Sequence, residues 1–213
     1  MTASRPVGVP RLYLVAARAA FAADLDWLDA IERVAAHAAA HRDLPIALQI
    51  RIETPDGAGR RAAAAIERAR RAGAGLAVFL NADGLDAGSL GYDGVHWAER
   101  CIPEAPSCVF PGAASVHSVA ALRRAEAAGA RFAAFGPVWS PSWKPGPARG
   151  LEDLAQVVRE AQIPVLAIGG VTPERVAECL HAGAAGVAVV SGVFHDRAPA
   201  AALARYAAVL AAG

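Results

Sequence analysis

Three stretches of the chain combine residue types and spacings that chemistry needs. Ser115-Val116-His117-Ser118 sets a histidine between two hydroxyls, where an apolar run gives way to an Ala-rich stretch. An imidazole there titrates near neutral pH and suits general acid/base work; the alternative is a plain helix entry with Ser118 as N-cap. Ala167-Ile168-Gly169-Gly170-Val171-Thr172-Pro173 is followed about twenty residues later by Val189-Val190-Ser191-Gly192-Val193. Two glycine-bearing turns, each leading toward a helix, offer backbone N–H groups to a phosphate. The alternative is that Gly169-Gly170 only permit a tight turn. The third stretch, Gly136 to Gly150, is too long and too rich in Pro, Gly and Trp for a simple connection and reads as a lid. It carries Lys144, the only lysine among 21 basic residues.

These stretches need elements to hold them. Short β-type runs alternate with Ala/Arg/Glu-rich helical stretches along the whole chain, which implies an α/β protein with a parallel sheet. The runs are Leu12 to Ala16, Ile46 to Ile50, Leu76 to Asn81, Gly94 to His96, Ala113 to Val116, Phe132 to Phe135, Val165 to Ile168 and Val187 to Val190. Helices are predicted over Leu25 to His41, Gly59 to Arg71, Ser118 to Ala128, Leu151 to Ala161, Pro173 to Ala182 and Pro199 to Ala211, with only short segments after the third and fourth strands. Thr172 before Pro173 reads as an N-cap, and Gly129 and Gly183 as helix ends. No linker-like composition divides the chain, so a single (β/α)8 TIM barrel over residues 1–213, with 1–10 as an N-terminal extension, fits better than an open doubly wound sheet.

In such a barrel the residues just past each strand carry the chemistry. Position alone selects Gln49 and Arg51, Asn81, His96, Ser115 and His117, Gly136 to Lys144, Gly169-Gly170 and Ser191-Gly192. His96 reads better as an inward histidine that satisfies a backbone carbonyl. His37 and His41 have a metal-binding i, i+4 spacing, but with no third ligand nearby they read as exposed. The Arg60-Arg61, Arg68 and Arg70-Arg71 clusters read as a solvated helix face.

Composition narrows the partners. With 55% hydrophobic residues, 19% charged residues and a net charge of +1, the chain is neither disordered nor a bulk-charge binder of nucleic acid. No run approaches the roughly 20 apolar residues of a membrane span. Three cysteines, Cys101, Cys108 and Cys179, lack metal or disulfide spacing and suit a reducing cytoplasm. A small phosphorylated molecule is the expected ligand, and a homo-oligomer is left open.

Taken in order, Leu12-Tyr13-Leu14-Val15, Gln49-Ile50-Arg51, Leu80-Asn81, Asp93-Gly94-Val95-His96, Ser115-Val116-His117-Ser118, Phe135-Gly136-Pro137-Val138 with Lys144 and Gly150-Leu151, Ala167-Ile168-Gly169-Gly170, and Gly186 to Ser191 resemble the thiamin phosphate synthase and TenI superfamily of barrels. The synthases of that superfamily join a pyrimidine diphosphate to a thiazole phosphate. They hold Mg²⁺ with an Asp after the Asn and another a few residues past the His, positions that carry Ala82 and Cys101 in this chain. A family lysine two residues beyond the Arg is Glu53, and the threonine-bearing diphosphate loop reads Trp139-Ser140-Pro141-Ser142-Trp143. An alanine cannot ligate Mg²⁺, a cysteine is a poor ligand for it, and a carboxylate repels diphosphate.

On those departures the resemblance points to a TenI-like thiazole tautomerase needing no cofactor or metal, with Mg²⁺ required only in the synthase alternative. It implies His117 as the acid/base, with Gly169, Gly170, Ser191 and Gly192 on the phosphate. Gln49, Arg51, Asn81, Ser115, Gly136, Lys144 and Gly150 would contact substrate, with Lys144 or Arg51 facing a carboxylate. The alternatives are thiamin phosphate synthase and a non-catalytic phosphate-ligand sensor. Roles for His96, Glu53, Trp139 and Trp143 stay open.

Overall fold

A computed structural model describes residues 8–53, 56–81, 90–106, 111–140 and 146–212. Eight parallel strands, β1 (Leu12–Ala17), β2 (Ile46–Arg51), β3 (Ala77–Asn81), β4 (Gly94–Trp97), β5 (Gly112–Val116), β6 (Ala130–Phe135), β7 (Val165–Ile168) and β8 (Gly186–Val189), pair in chain order and close when β8 meets β1. This is the expected (β/α)8 barrel. Alternation along each strand builds two cores. Leu12, Leu14 and Ala16 of β1 face the helices, whereas Tyr13 and Val15 join Ala47, Phe79, Ala113, Phe132, Leu166 and Ala188 inside the barrel. The same parity turns Gln49 and Arg51 of β2, Asn81 of β3, His96 of β4 and Ser115 of β5 inward, above those apolar layers.

The outer ring comprises α1 (Asp24–Ala38), α2 (Ala58–Ala72), α3 (Val119–Ala127), α4 (Gly150–Glu160), α5 (Val176–His181), α6 (Ser191–Phe194) and α7 (Pro199–Ala212). The amphipathic pattern of α1 buries Trp27, Ile31 and Val34 against the barrel, with Trp27 Nε1 donating to the Ala16 carbonyl at 3.2 Å. The basic residues of α2 are more than a solvated face: Arg61 pairs with Asp24, Arg68 with Asp29 and Glu32, and Arg70 with Asp93. They tie α2 to α1 and to the entry of β4.

Several boundaries depart from the sequence reading. α1 stops at Ala38, where the chain turns toward Pro45 through a His41 N–H bond to the Ala38 carbonyl, so His37 and His41 do not share a helix. The predicted helix over Pro173 to Ala182 divides into a 3-10 turn, Pro173–Arg175, and α5. Thr172 does not cap it. Its side chain instead hydrogen-bonds Glu174 and is the main reason the Glu174 carboxyl sits below its ordinary range. Gly129 and Gly183 do take the left-handed conformation of a helix end, at φ 85° and 92°. The four-residue α6 was not predicted, being too short to show a helical period.

After β4 comes only a 3-10 turn, Glu99–Cys101, as expected for a thin segment. The corresponding stretch after β3 lies outside the described residues, as does most of the expected extension 1–10. Cys101 and Cys179 are free thiols, and burial pushes the Cys179 thiol up to about 12. Cys108 lies outside the described residues. Among them, no helix is long and apolar enough to cross a membrane.

Candidate active site

The mouth of the barrel opens at the C-terminal ends of the strands into a cavity of about 960 Å³. Gln49, Arg51, Asn81, His96, Ser115, His117 and Gly136 all line it. Gln49, Asn81 and His96 are also the buried polar side chains among the described residues, and each points toward this one space. Burying polar groups without need is costly, so their convergence marks a binding site.

Each is held differently. Asn81 Oδ1 accepts the Ile52 N–H at 2.8 Å while its Nδ2 donates to the Ile52 carbonyl at 3.0 Å. Its amide thereby closes a backbone-like pair that continues β2 past Arg51. Arg51 meets Glu53 at 3.3 Å, and Glu53 also accepts the Ala19 N–H at 3.0 Å. Glu53 is therefore not a free carboxylate aimed at an anion, as its replacement of a family lysine suggested.

Ser118 caps α3 by accepting the Ala121 N–H at 3.1 Å, while Glu99 accepts the N–H of His117 at 2.8 Å. The two readings of this stretch coexist, because the helix is capped and the imidazole still faces the mouth. His117 Nδ1 lies 2.5 Å from the Gly136 carbonyl. A carbonyl can only accept, so Nδ1 carries a proton and Nε2 is the nitrogen left for a ligand.

The stretch from Gly136 to Gly150 has a pinned neck. Val138 and Trp139 donate to the carbonyls of Ile168 and Gly169 at 2.9 and 3.0 Å, and Arg149 and Gly150 donate to those of Pro137 and Val138 at 2.9 and 3.0 Å. Ser140 Oγ accepts the Gly146 N–H at 3.2 Å, which closes the described rim of the excursion. Lys144, Ser142 and Trp143 lie outside the described residues, as does Ala82.

Gly169 is shared between the mouth and a second cavity of about 450 Å³, which is lined by Gly170, Thr172, Ser191 and Gly192. Ser191 and Gly192 open α6, where backbone N–H groups have no partner within the helix. Gly169 has φ 95°, and a Cβ there would overlap Pro137; at Gly192 it would meet the Tyr206 hydroxyl. Tyr206 donates to the Val171 carbonyl at 2.8 Å, and burial raises its phenol to about 12, so it keeps its proton.

Arg175, absent from the sequence-derived set, also lines this cavity. Its guanidinium donates to the Gly170 carbonyl at 2.8 Å and lies 4.8 Å from the centre of the Trp139 ring. It sits five residues past the glycine pair, beyond the strand-end window that selected the others. Glu99 and Arg149 escaped the same window.

Mg²⁺ is the metal that the family resemblance implies for a synthase. Among the described residues, no group of three or more His, Cys, Asp or Glu side chains could hold a metal ion. Asn81 is spent on Ile52, Glu53 on Arg51 and Ala19, and Glu99 on His117 and Arg124. Cys101 offers a thiol where a hard cation wants oxygen. The described donor set does not fit Mg²⁺.

A closed barrel whose polar mouth adjoins a second cavity framed by two glycine turns has the layout of a (β/α)8 enzyme. The chain belongs to the thiamine monophosphate synthase family, whose model matches residues 12–193. A thiamine-phosphate synthase of Xanthomonas campestris is 35% identical over 167 residues, covering 76% of this chain and 81% of the relative. One from Methanoculleus marisnigri is 42% identical over 125 residues, covering 55% of this chain and 59% of the relative. The solved thiamine phosphate pyrophosphorylase of Pyrococcus furiosus superposes with a TM-score of 0.73 over 95% of this chain and 96% of that one; at 22% identity it speaks to the fold alone.

These relatives overturn the expected thiazole tautomerase. The inference rested on reading four departures as loss of the diphosphate half. Of these, Glu53 is paired with Arg51, Ala82 and most of the altered loop lie outside the described residues, and Cys101 bears on the metal alone. The described departures therefore speak against the metal and not against a two-substrate reaction.

Proposed function

We propose that the chain is a transferase that joins a pyrimidine diphosphate to a thiazole phosphate. The observation that carries this reading is the pair of adjoining cavities that share Gly169, beside relatives named for that synthase activity. A condensation of two substrates is served by two compartments with a common wall, here Gly169 and Val190. The 450 Å³ cavity suits a phosphate held by Gly169, Gly170, Ser191 and Gly192, with Arg175 adding a positive charge. The larger mouth brings Arg51, Arg100 and Arg149 toward the diphosphate side.

The thiazole nitrogen supplies the electron pair for the new bond to the pyrimidine-bearing methylene carbon. The carbon–oxygen bond breaks, and its pair leaves on the diphosphate. Holding the two reactants in line contributes most of what such a displacement asks of a protein. His117, anchored through Nδ1 to Gly136, presents Nε2 to the departing diphosphate. His117→Asn is expected to lower kcat by about 10-fold with a smaller change in KM, measured by diphosphate release.

Glu53 and the substrate compete for Arg51. Glu53→Gln is expected to lower KM for the pyrimidine diphosphate about 2- to 5-fold by freeing that guanidinium, as a substrate titration would show. The deciding experiment supplies both substrates, with Mg²⁺ added, and follows diphosphate. Release that requires both substrates supports the transferase; thiazole phosphate binding without release would mark a non-catalytic phosphate-binding barrel.

A further inference from the structure

Beneath the mouth, three side chains from different walls of the barrel form a line. Tyr13 rises from β1, His96 from β4 and Ser115 from β5, and all three border the same cavity. Tyr13 Oη lies 3.3 Å from His96 Nδ1, and His96 Nε2 lies 2.8 Å from Ser115 Oγ. β1 does not neighbour β4 or β5 in the barrel, so the phenol must cross the interior to reach the imidazole.

Packing holds it there. The Tyr13 ring meets Phe79 and Phe132 edge-on at 5.6 and 5.2 Å and stacks on His96 at 5.6 Å with a 29° interplanar angle. Tyr13 is fully buried and His96 is 4% exposed. An apolar residue at position 13 would fill the same space, so the hydroxyl is the part that packing does not require.

We infer that Tyr13 and His96 are positioning residues that set the direction of the Ser115 hydroxyl, making Ser115 a hydrogen-bond donor to the ligand on the diphosphate side of the mouth. The direction follows from the donor inventory. Burial drives the Tyr13 phenol well above its ordinary pKa, so it keeps its proton; the O–H is fully buried and His96 Nδ1 is the acceptor that the described residues bring within reach of it, so the phenol donates there. A neutral imidazole that accepts at Nδ1 carries its proton on Nε2 and donates it to Ser115 Oγ. The serine oxygen then has a lone pair filled from below, and its own O–H turns up into the cavity, toward a ring nitrogen or diphosphate oxygen. In the reverse arrangement Ser115 would donate down to His96 and face the ligand as an acceptor, which a diphosphate oxygen would repel.

The ligand contact rests on the transferase reading, but the relay itself can be read in the ligand-free protein. Nitrogen-15 NMR of the His96 ring is expected to show the tautomer protonated at Nε2, with Nδ1 bare. The Nδ1-protonated form would overturn the proposal whether or not the protein makes a product. The second arm is a double-mutant cycle on diphosphate release. Tyr13→Phe, which keeps the ring packing, is expected to lower kcat/KM for the pyrimidine diphosphate about 3- to 10-fold and leave KM for the thiazole phosphate unchanged. In a Ser115→Ala background the same change is expected to cost nothing further. Losses that add across the two backgrounds would show a merely structural Tyr13 and overturn the relay. If the wild-type protein releases no diphosphate, the transferase reading fails and the tautomer measurement alone decides the relay.

Discussion

Gly169→Ala is expected to raise KM for the thiazole phosphate by about two orders of magnitude in an otherwise folded protein. Gly169 adopts φ 95°, a conformation in which an L side chain costs roughly 1–2 kcal/mol before any contact is counted. Its added Cβ would overlap Cβ and Cα of Pro137. Pro137 cannot give way easily, because its carbonyl accepts the Arg149 N–H while Val138 beside it donates to Ile168. The clash is therefore relieved by moving the glycine turn away from Pro137, which shifts the wall shared by the two cavities. The Trp139 N–H bond to the Gly169 carbonyl, 3.0 Å long, is lost in the process.

Gly192 makes the comparison informative. A Cβ there would meet the Tyr206 hydroxyl, the far end of a side chain. Tyr206→Phe removes that obstacle, at the cost of the bond to the Val171 carbonyl. A Gly192→Ala/Tyr206→Phe variant should thus recover part of the thiazole phosphate affinity that Gly192→Ala loses. No side-chain truncation should do the same for Gly169→Ala, because Cα of Pro137 would still lie 2.5 Å from the added Cβ after its own Cβ was removed. Isothermal titration with thiazole phosphate checks both. Unchanged affinity in Gly169→Ala would remove the phosphate from the glycine turns.

The barrel was legible because its signals are repeated and local. Apolar runs such as Val165 to Ile168 and Val187 to Val190 recur between amphipathic stretches, and that alternation survives errors of a residue or two at every boundary. Position at the ends of the strands then placed Gln49, Arg51, Asn81, His96 and Ser115 at one mouth without knowledge of any contact. What position cannot convey is which partner each side chain takes. His96 read as a structural histidine, since nothing in Gly94-Val95-His96-Trp97 shows that a tyrosine from the opposite wall will reach its Nδ1. Glu53 read as a repulsive charge because Ala19, its backbone partner, lies 34 positions earlier. The tautomerase expectation, which the relatives overturn, leaned in part on that carboxylate: the loss of a family lysine was legible, while the Arg51 pairing of its replacement was not. Arg175 was missed because the strand-end window closed before the chain doubled back over Trp139.

Asn81 shows the same lesson in its sharpest form, and its substitution should have the second large effect. The sequence placed it among the substrate contacts, and it does border the mouth, yet both ends of its amide are engaged by Ile52. Asn81→Ala would leave a buried N–H and a buried C=O without partners, a penalty of about 2–4 kcal/mol for the pair. In a chain of this length that corresponds to a fall in Tm of roughly 5–15 °C. Loss of the tie also releases the end of β2, so Arg51 and Glu53 lose their register over the mouth and kcat/KM should fall by at least 10-fold.

Asn81→Asp separates the two consequences. A carboxylate can still accept the Ile52 N–H, but it offers the Ile52 carbonyl only a second negative oxygen. If Asn81 serves mainly to hold β2, Asp should be as damaging as Ala in thermal unfolding, because half of the pair becomes repulsive. If its main role were to meet the ligand, Asp would keep Tm near the wild-type value and lose only activity. The geometry favours the first outcome. Ile52 is itself buried, at 3% exposure, so no water is at hand to replace what the amide supplies.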